Sequence, residues 1–234
     1  MAVNLNIAQP EDLHPVAGIR IGVTEAGVRK ANRKDVASFQ IKANTTDPTI
    51  RVIEAIEGQL VTHMLQMPAK VADGCLVSDP EHDVLKMAVI NRYQPDAPIA
   101  IAFIKNFGLK HGALASTVAH DCHNIIAVGV DDESMWAAVN ALIDCKGGIA
   151  VATNHHVATM ALPIAGLMAT GSAHHVATQY TAIDKKAKLL GTTLHAPFMT
   201  LSFMGLLVIP ALKLSDLGLF DGSEFKFTEV AVNE

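Results

Sequence analysis

His120-Asp121-Cys122-His123-Asn124 places two imidazoles, a carboxylate, a thiol and a carboxamide in five consecutive positions. Apolar runs flank it, at 113–119 and from Asn124 to Val130, so the segment belongs at a strand end or tight turn. Imidazole and carboxylate together suit Zn, Mn or Fe(II), and such an ion would polarise a carbonyl or generate hydroxide from bound water. On that chemistry His120 and His123 are the first choice of ligands, with Asp121 as a third ligand or general base. Cys122 offers a nucleophile activated by a neighbouring imidazole. The competing reading is a polar turn whose side chains satisfy buried backbone groups. With 11 histidines in 234 residues, the HxxH spacing alone is weak support for a metal.

Other polar groups have simpler explanations. Asp79, Glu81 and Asp83 read as acids at a helix N-terminus. Lys105 follows an apolar strand, as a contact to a carboxylate or phosphate would, or as the strand's solvated end. Arg92 closes an apolar segment, and with Lys105 is a cation able to neutralise developing negative charge. His155-His156 falls at a hairpin tip, and His174-His175 opens a helix. There is no GxSxG, P-loop, GxGxxG after a strand, or HExxH.

The elements that must position these groups belong to a chain that is half hydrophobic and only 18% charged, which excludes intrinsic disorder. The net charge of −5 and the absence of any basic run longer than Arg29-Lys30, Arg33-Lys34 or Lys185-Lys186 argue against a nucleic-acid partner. Cys75, Cys122 and Cys145 are odd in number and lack CxxC spacing, as expected of reduced thiols. The N-terminal residues carry early acids and no apolar run, so no signal peptide is expected and the location is read as cytoplasmic. The uncharged stretches 147–183 and 191–212 are interrupted by His, Pro, Ser and Thr; both are expected as buried core rather than membrane spans. So large an apolar fraction also predicts a homo-oligomer, a dimer or higher.

Strands are expected at 16–23, 36–41, 50–57, 59–67, 99–104, 113–119 and 124–130, and a hairpin at 149–153 and 157–162. Ser78-Asp79-Pro80-Glu81 has the composition of a helix start, with Val84, Leu85, Ala88 and Val89 as its apolar stripe. Asp131-Asp132-Glu133 opens a second helix, with apolar residues at 135, 138, 139, 142 and 143, stopped by Gly147-Gly148. A third runs over about 173–190. Strands interleaved with three or more helices give a mixed α/β (α+β) fold. The loop at 44–48 divides a 1–48 extension, short strands or an exchanged arm, from a domain at 49–234.

The run GLKHGALASTVAHDCHNIIAVGVDDESMWAAVNAL (108–142) resembles the C-terminal domain of bacterial adenine deaminases. So do RVIEAIEGQLVT (51–62), VSDPEHDVLKMAVINRY (77–93), IAFIKNFG (101–108), LPIAGLM (162–168), PFMTLSF (197–203) and IPALKLSDLGL (209–219). The resemblance covers about residues 50–234 and implies that domain's fold. It also implies an N-terminal amidohydrolase barrel with an HxH pair and a two-metal centre; neither a barrel nor an HxH occurs in this sequence. Cys122 replaces the usual serine, and His63, His82, His111, His174, His175 and His195 look like additions.

Two readings follow. In the first, the chain is a self-sufficient metal-dependent hydrolase of a small cyclic substrate: a nucleobase-like heterocycle, cyclic amide or cyclic dione. His120, His123, Asp121 and His63 would hold a divalent Mn, Zn or Fe, with His82 or His111 as further ligands and Lys105 or Arg92 offsetting charge. In the second, it is an accessory subunit completing a separately encoded deaminase barrel.

Overall fold

The structure is a computed structural model that describes residues 31–153 and 155–232. After a 3-10 turn at Val36–Phe39, the chain forms β1 (Ile41–Lys42), β2 (Thr49–Ala55), β3 (Thr62–Pro68), β4 (Lys70–Ala72), β5 (Cys75–Val77), β6 (Val84–Ile90), β7 (Ile99–Lys105), β8 (Ala113–Ser116) and β9 (Ile125–Gly129). Helix α1 (Asp132–Asp144) leads into β10 (Gly148–Ala152) and β11 (Val157–Ala161). Then come α2 (Ala173–Leu189), α3 (Pro197–Phe203), β12 (Leu212–Ser215), β13 (Gly218–Asp221) and β14 (Lys226–Thr228). The expected mixed α/β architecture is present.

Eight strands form the central sheet in the order β11-β10-β8-β9-β6-β7-β2-β3, antiparallel except for the β2–β7 pair. Both faces are covered, and the side-chain alternation of each strand divides it between two cores. Ala88, Ala113, Ala115, Ala127, Ala150 and Ala152 face α1, whose Met135, Ala138, Val139 and Leu142 pack down on them. Leu85, Met87, Leu114, Ile126, Val128 and Val151 face the opposite layer, made of α2, α3 and the β12-β13-β14 sheet. Small side chains beneath α1 let the helix approach closely. Gly129 marks the limit, because a Cβ there would lie 2.5 Å from Met135 Cγ and 2.8 Å from Ala113 Cβ.

Helix α1 starts as its sequence dictates, with the Asp131 carboxylate accepting from the Ser134 backbone N–H at 2.7 Å. Its end differs in detail. The left-handed residue is Lys146, at φ 66°, and the Gly147 N–H returns to the Leu142 carbonyl in a Schellman arrangement. Two lysines are enclosed in the fold. Lys86 lies within β6 and bonds the Phe39 carbonyl and Asp132. Lys213, fully buried, donates to the Leu60 and Phe203 carbonyls, and burial pushes its pKa down to about 8.

Three expectations are corrected. The helix expected from Ser78 is strand β6, whose seven residues are all buried. Burial on both faces erases the period of two that marks a strand, leaving an apolar run that mimics a helix stripe. The capping signal is spent otherwise: Ser78 Oγ donates to the Gly129 carbonyl and accepts from Lys86 N–H, while Asp79 and Val84 exchange backbone bonds across a turn with Asp83 at φ 54°. Residues 36–39 form a 3-10 turn rather than a strand, because Phe39 inserts into the core beneath α1. In the uncharged stretch 147–183, β10 is buried but most of 169–182 is exposed. The strand expected at 16–23 lies outside the described residues. No helix among the described residues is long and apolar enough to cross a membrane.

Candidate functional site

The HDCHN segment is the turn between β8 and β9, at the end of the sheet where β6 also finishes. Its backbone is fixed from several directions. His120 N–H donates to the Ser202 carbonyl of α3 at 2.9 Å, and His123 N–H to the Ala119 carbonyl at 2.7 Å. The buried Asn124 carboxamide oxygen accepts from Arg92 N–H at 3.2 Å, and the Tyr93 hydroxyl donates to the Cys122 carbonyl at 3.2 Å. His123 takes a left-handed backbone, φ 52°, a region where histidine is among the better-tolerated side chains.

The side chains divide by surroundings. The His120 ring stacks on Phe203, with centroids 4.7 Å apart and planes at 23°. It meets His123 edge-on, with centroids 6.2 Å apart. The Nδ1 atom of His123 is buried and has no hydrogen-bond partner among the described residues. Burial, then the Arg92 guanidinium and His120, hold His123 below its ordinary pKa against the opposing pull of Asp121, so the ring favours the neutral form. Burial and Asp216 push the Cys122 thiol up, disfavouring the thiolate that a nucleophile requires. Asp121 and Cys122 line a cavity of about 250 Å³ with Asp216, Leu207, Val208 and Phe227. Asn91 Nδ2 donates to Asp216 at 2.7 Å, tying that cavity to the end of β6.

The structure brings Arg92 beside His123 and Asn124, in the turn that also carries His120 and Asp121, but holds His63 and Lys105 apart from them. Strand β6 pairs Ile90 with Ile125, beside the turn, and Val84 with Lys105 at its other end. Seven strand residues span roughly 20 Å. His63 pairs with Glu54 across the β2–β3 ladder at Lys105's end, its Nδ1 2.8 Å from the carboxylate. Lys105 Nζ donates to the His82 carbonyl at 2.6 Å. The four-ligand set of His63, His120, Asp121 and His123 is therefore not assembled. Among the described residues no group of three or more His, Cys, Asp and Glu is placed to hold a metal ion. The described residues do not fit the ion that the first reading required: strand order removes His63, and His120, Asp121 and His123 by themselves form no such group.

Asn91, Tyr93, Phe203 and Asp216 were missed as parts of the site. Asn91 and Tyr93 flank Arg92 in an NRY run that could have drawn attention. Phe203 and Asp216 carry no sequence signal of their proximity.

Residues 59–226 match the adenine deaminase C-terminal domain family. The chain belongs to that family. It is 47% identical to the adenine deaminase of Methanosarcina mazei over 220 residues, which are 94% of this chain and 36% of that protein. Against the adenine deaminase of Methanosarcina acetivorans, identity is 52% over 79% of this chain and 33% of the relative. The adenine deaminase of Borreliella burgdorferi is 44% identical over 85% of this chain and 36% of its own length. This adenine deaminase C-terminal domain thus spans about a third of the length of the curated relatives it matches. The match takes in the HDCHN turn, Arg92, Tyr93, Phe203 and Asp216 together.

Proposed function

We propose that this chain serves adenine deamination as the C-terminal part of an assembly whose metal-bearing barrel is a separate domain. The observation that supports this reading is that the family match is specific while the residues of the β8–β9 turn form no metal-ligand group. A divalent Mn, Zn or Fe belongs, on this reading, to the barrel that the family resemblance implies. What weighs against the self-sufficient metallohydrolase is that no ligand group of three or more is found among the described residues.

The turn's chemistry suits a purine. Asp121 and Asp216 accept N–H groups at one side of a cavity whose other walls, Leu207, Val208 and Phe227, pack on a flat ring. Deamination of adenine adds water and releases ammonia, so a proton must reach the departing nitrogen. His123 follows the cavity-lining Asp121 and Cys122 in the same turn, and its imidazole, favoured in the neutral form, is the proposed group to take a proton and pass it on within that step. We also propose that the chain self-associates, as its apolar composition predicts. Helix α2 buries only Ile183 and Ala187, and Met168, Tyr180 and Met199 are exposed.

The test is reconstitution. Purified chain is mixed with the separately produced N-terminal part of the Methanosarcina mazei relative, and conversion of adenine to hypoxanthine and ammonia is followed. Activity is expected only in the mixture, with H123N or D121N lowering kcat by about 100-fold while complex formation persists. Turnover by the chain alone with Mn, Zn or Fe would restore the self-sufficient reading. An inactive but fully formed complex would overturn the proposal.

A further inference from the structure

Among the described residues, Arg92 is a buried cation without a counter-charge. It is 5% exposed, and its Nη2 donates to the Ala165 carbonyl at 2.8 Å and reaches the Tyr93 hydroxyl at 3.4 Å. Among the described residues, its buried Nε and Nη1 have no hydrogen-bond partner and no carboxylate pairs with it. An unpaired guanidinium removed from water is expensive unless an anion answers it. Arg92 also lines a cavity of about 30 Å³, whose other walls include Thr117, Ile125, Leu142, Ile143 and Lys146. Lys146 makes no ion pair among the described residues. The Thr117 hydroxyl is spent on the Gly148 and Gly166 carbonyls.

We infer that this cavity is a binding site for the carboxylate group of a small molecule, held between Arg92 and Lys146. The cavity holds roughly two water-sized groups, which suits a small anionic group such as a carboxylate. A guanidinium recognises that planar anion by shape as well as charge, and Lys146 adds a second cation at the rim. The apolar side chains Ile125, Leu142 and Ile143 lower the local polarity, which strengthens the charge–charge attraction. Arg92 also biases the protonation of His123, but the carboxylate and Lys146 take no part in deamination, and formate binding is read without turnover, so this inference can fail or hold separately from that reading.

The test uses formate as the probe. The chain has five arginines, so the Nε–H resonance of Arg92 can be identified by its loss in Arg92→Lys. Formate added at constant ionic strength is expected to move that resonance saturably, whereas chloride is not. Lys146→Gly is the second variant. Glycine suits the left-handed backbone at that position, so the variant should unfold at a higher temperature than the parent while binding formate at least several-fold more weakly. An Arg92 resonance indifferent to formate, an equal response to chloride, or undiminished formate binding in Lys146→Gly would each overturn the inference.

Discussion

At the residue scale, His123 is the group whose protonation is tied to the fold. Burial and the nearby Arg92 hold its pKa below the ordinary 6.5, so the folded protein binds that proton less readily than the unfolded chain. Its stabilising contribution is complete above the ordinary value, and declines as pH falls through and below it, because the unfolded chain is protonated first. The unfolding midpoint of the parent should therefore drop across the acidic part of the imidazole range, about pH 7 to 5. H123N should flatten that dependence, since asparagine tolerates the left-handed backbone at φ 52° and does not titrate. A pH series of thermal melts on both proteins checks this. An equally steep fall in H123N would assign the effect to other groups. The chemical content of this turn is visible in the sequence, because five polar side chains interrupt an apolar stretch. That Arg92 stands behind it is not visible, because only the β6–β9 pairing brings residue 92 to residue 124.

At the element scale, the contact of α1 with the sheet depends on small residues. Gly129 ends β9, and a methyl group there would collide with Met135 and Ala113. Gly129→Ala should destabilise the chain by about 1–3 kcal/mol through overpacking. The double variant G129A/M135A should recover part of the loss if the clash with Met135 is its cause, as chemical denaturation of the single and double variants would reveal. Failure of any recovery would point to Ala113 instead. Elements with a local signature were legible: α1 from its cap and apolar spacing, and the β10–β11 hairpin from two apolar runs around a polar tip. Strand β6 was not, since a strand buried on both faces has the composition of a helix's apolar side, and its preceding turn carries the residues of a cap. The strands β12 to β14 escaped notice because Leu212–Ser215 and Gly218–Asp221 are each only four residues long.

At the scale of the whole molecule, the uneven packing of α2 bears on assembly. With Ile183 and Ala187 its only buried residues, and Met168, Tyr180 and Met199 exposed, sedimentation should show a concentration-dependent dimer. Met199→Glu should shift it toward monomer without lowering the unfolding temperature, because that side chain is 53% exposed. A strictly monomeric parent at all concentrations would contradict self-association. The sequence by itself determined the mixed α/β class, the family resemblance and the chemical types gathered in the HDCHN turn, since each is written in contiguous residues. Only the tertiary structure decided which distant groups share a site. It joined Asn91, Arg92, Tyr93, Phe203 and Asp216 to the turn, and placed His63 and Lys105 at the far end of β6. The physical reason is strand order. Backbone hydrogen bonding can satisfy many arrangements of the same strands, and the burial of both sheet faces selects the one that sets these side chains together or apart.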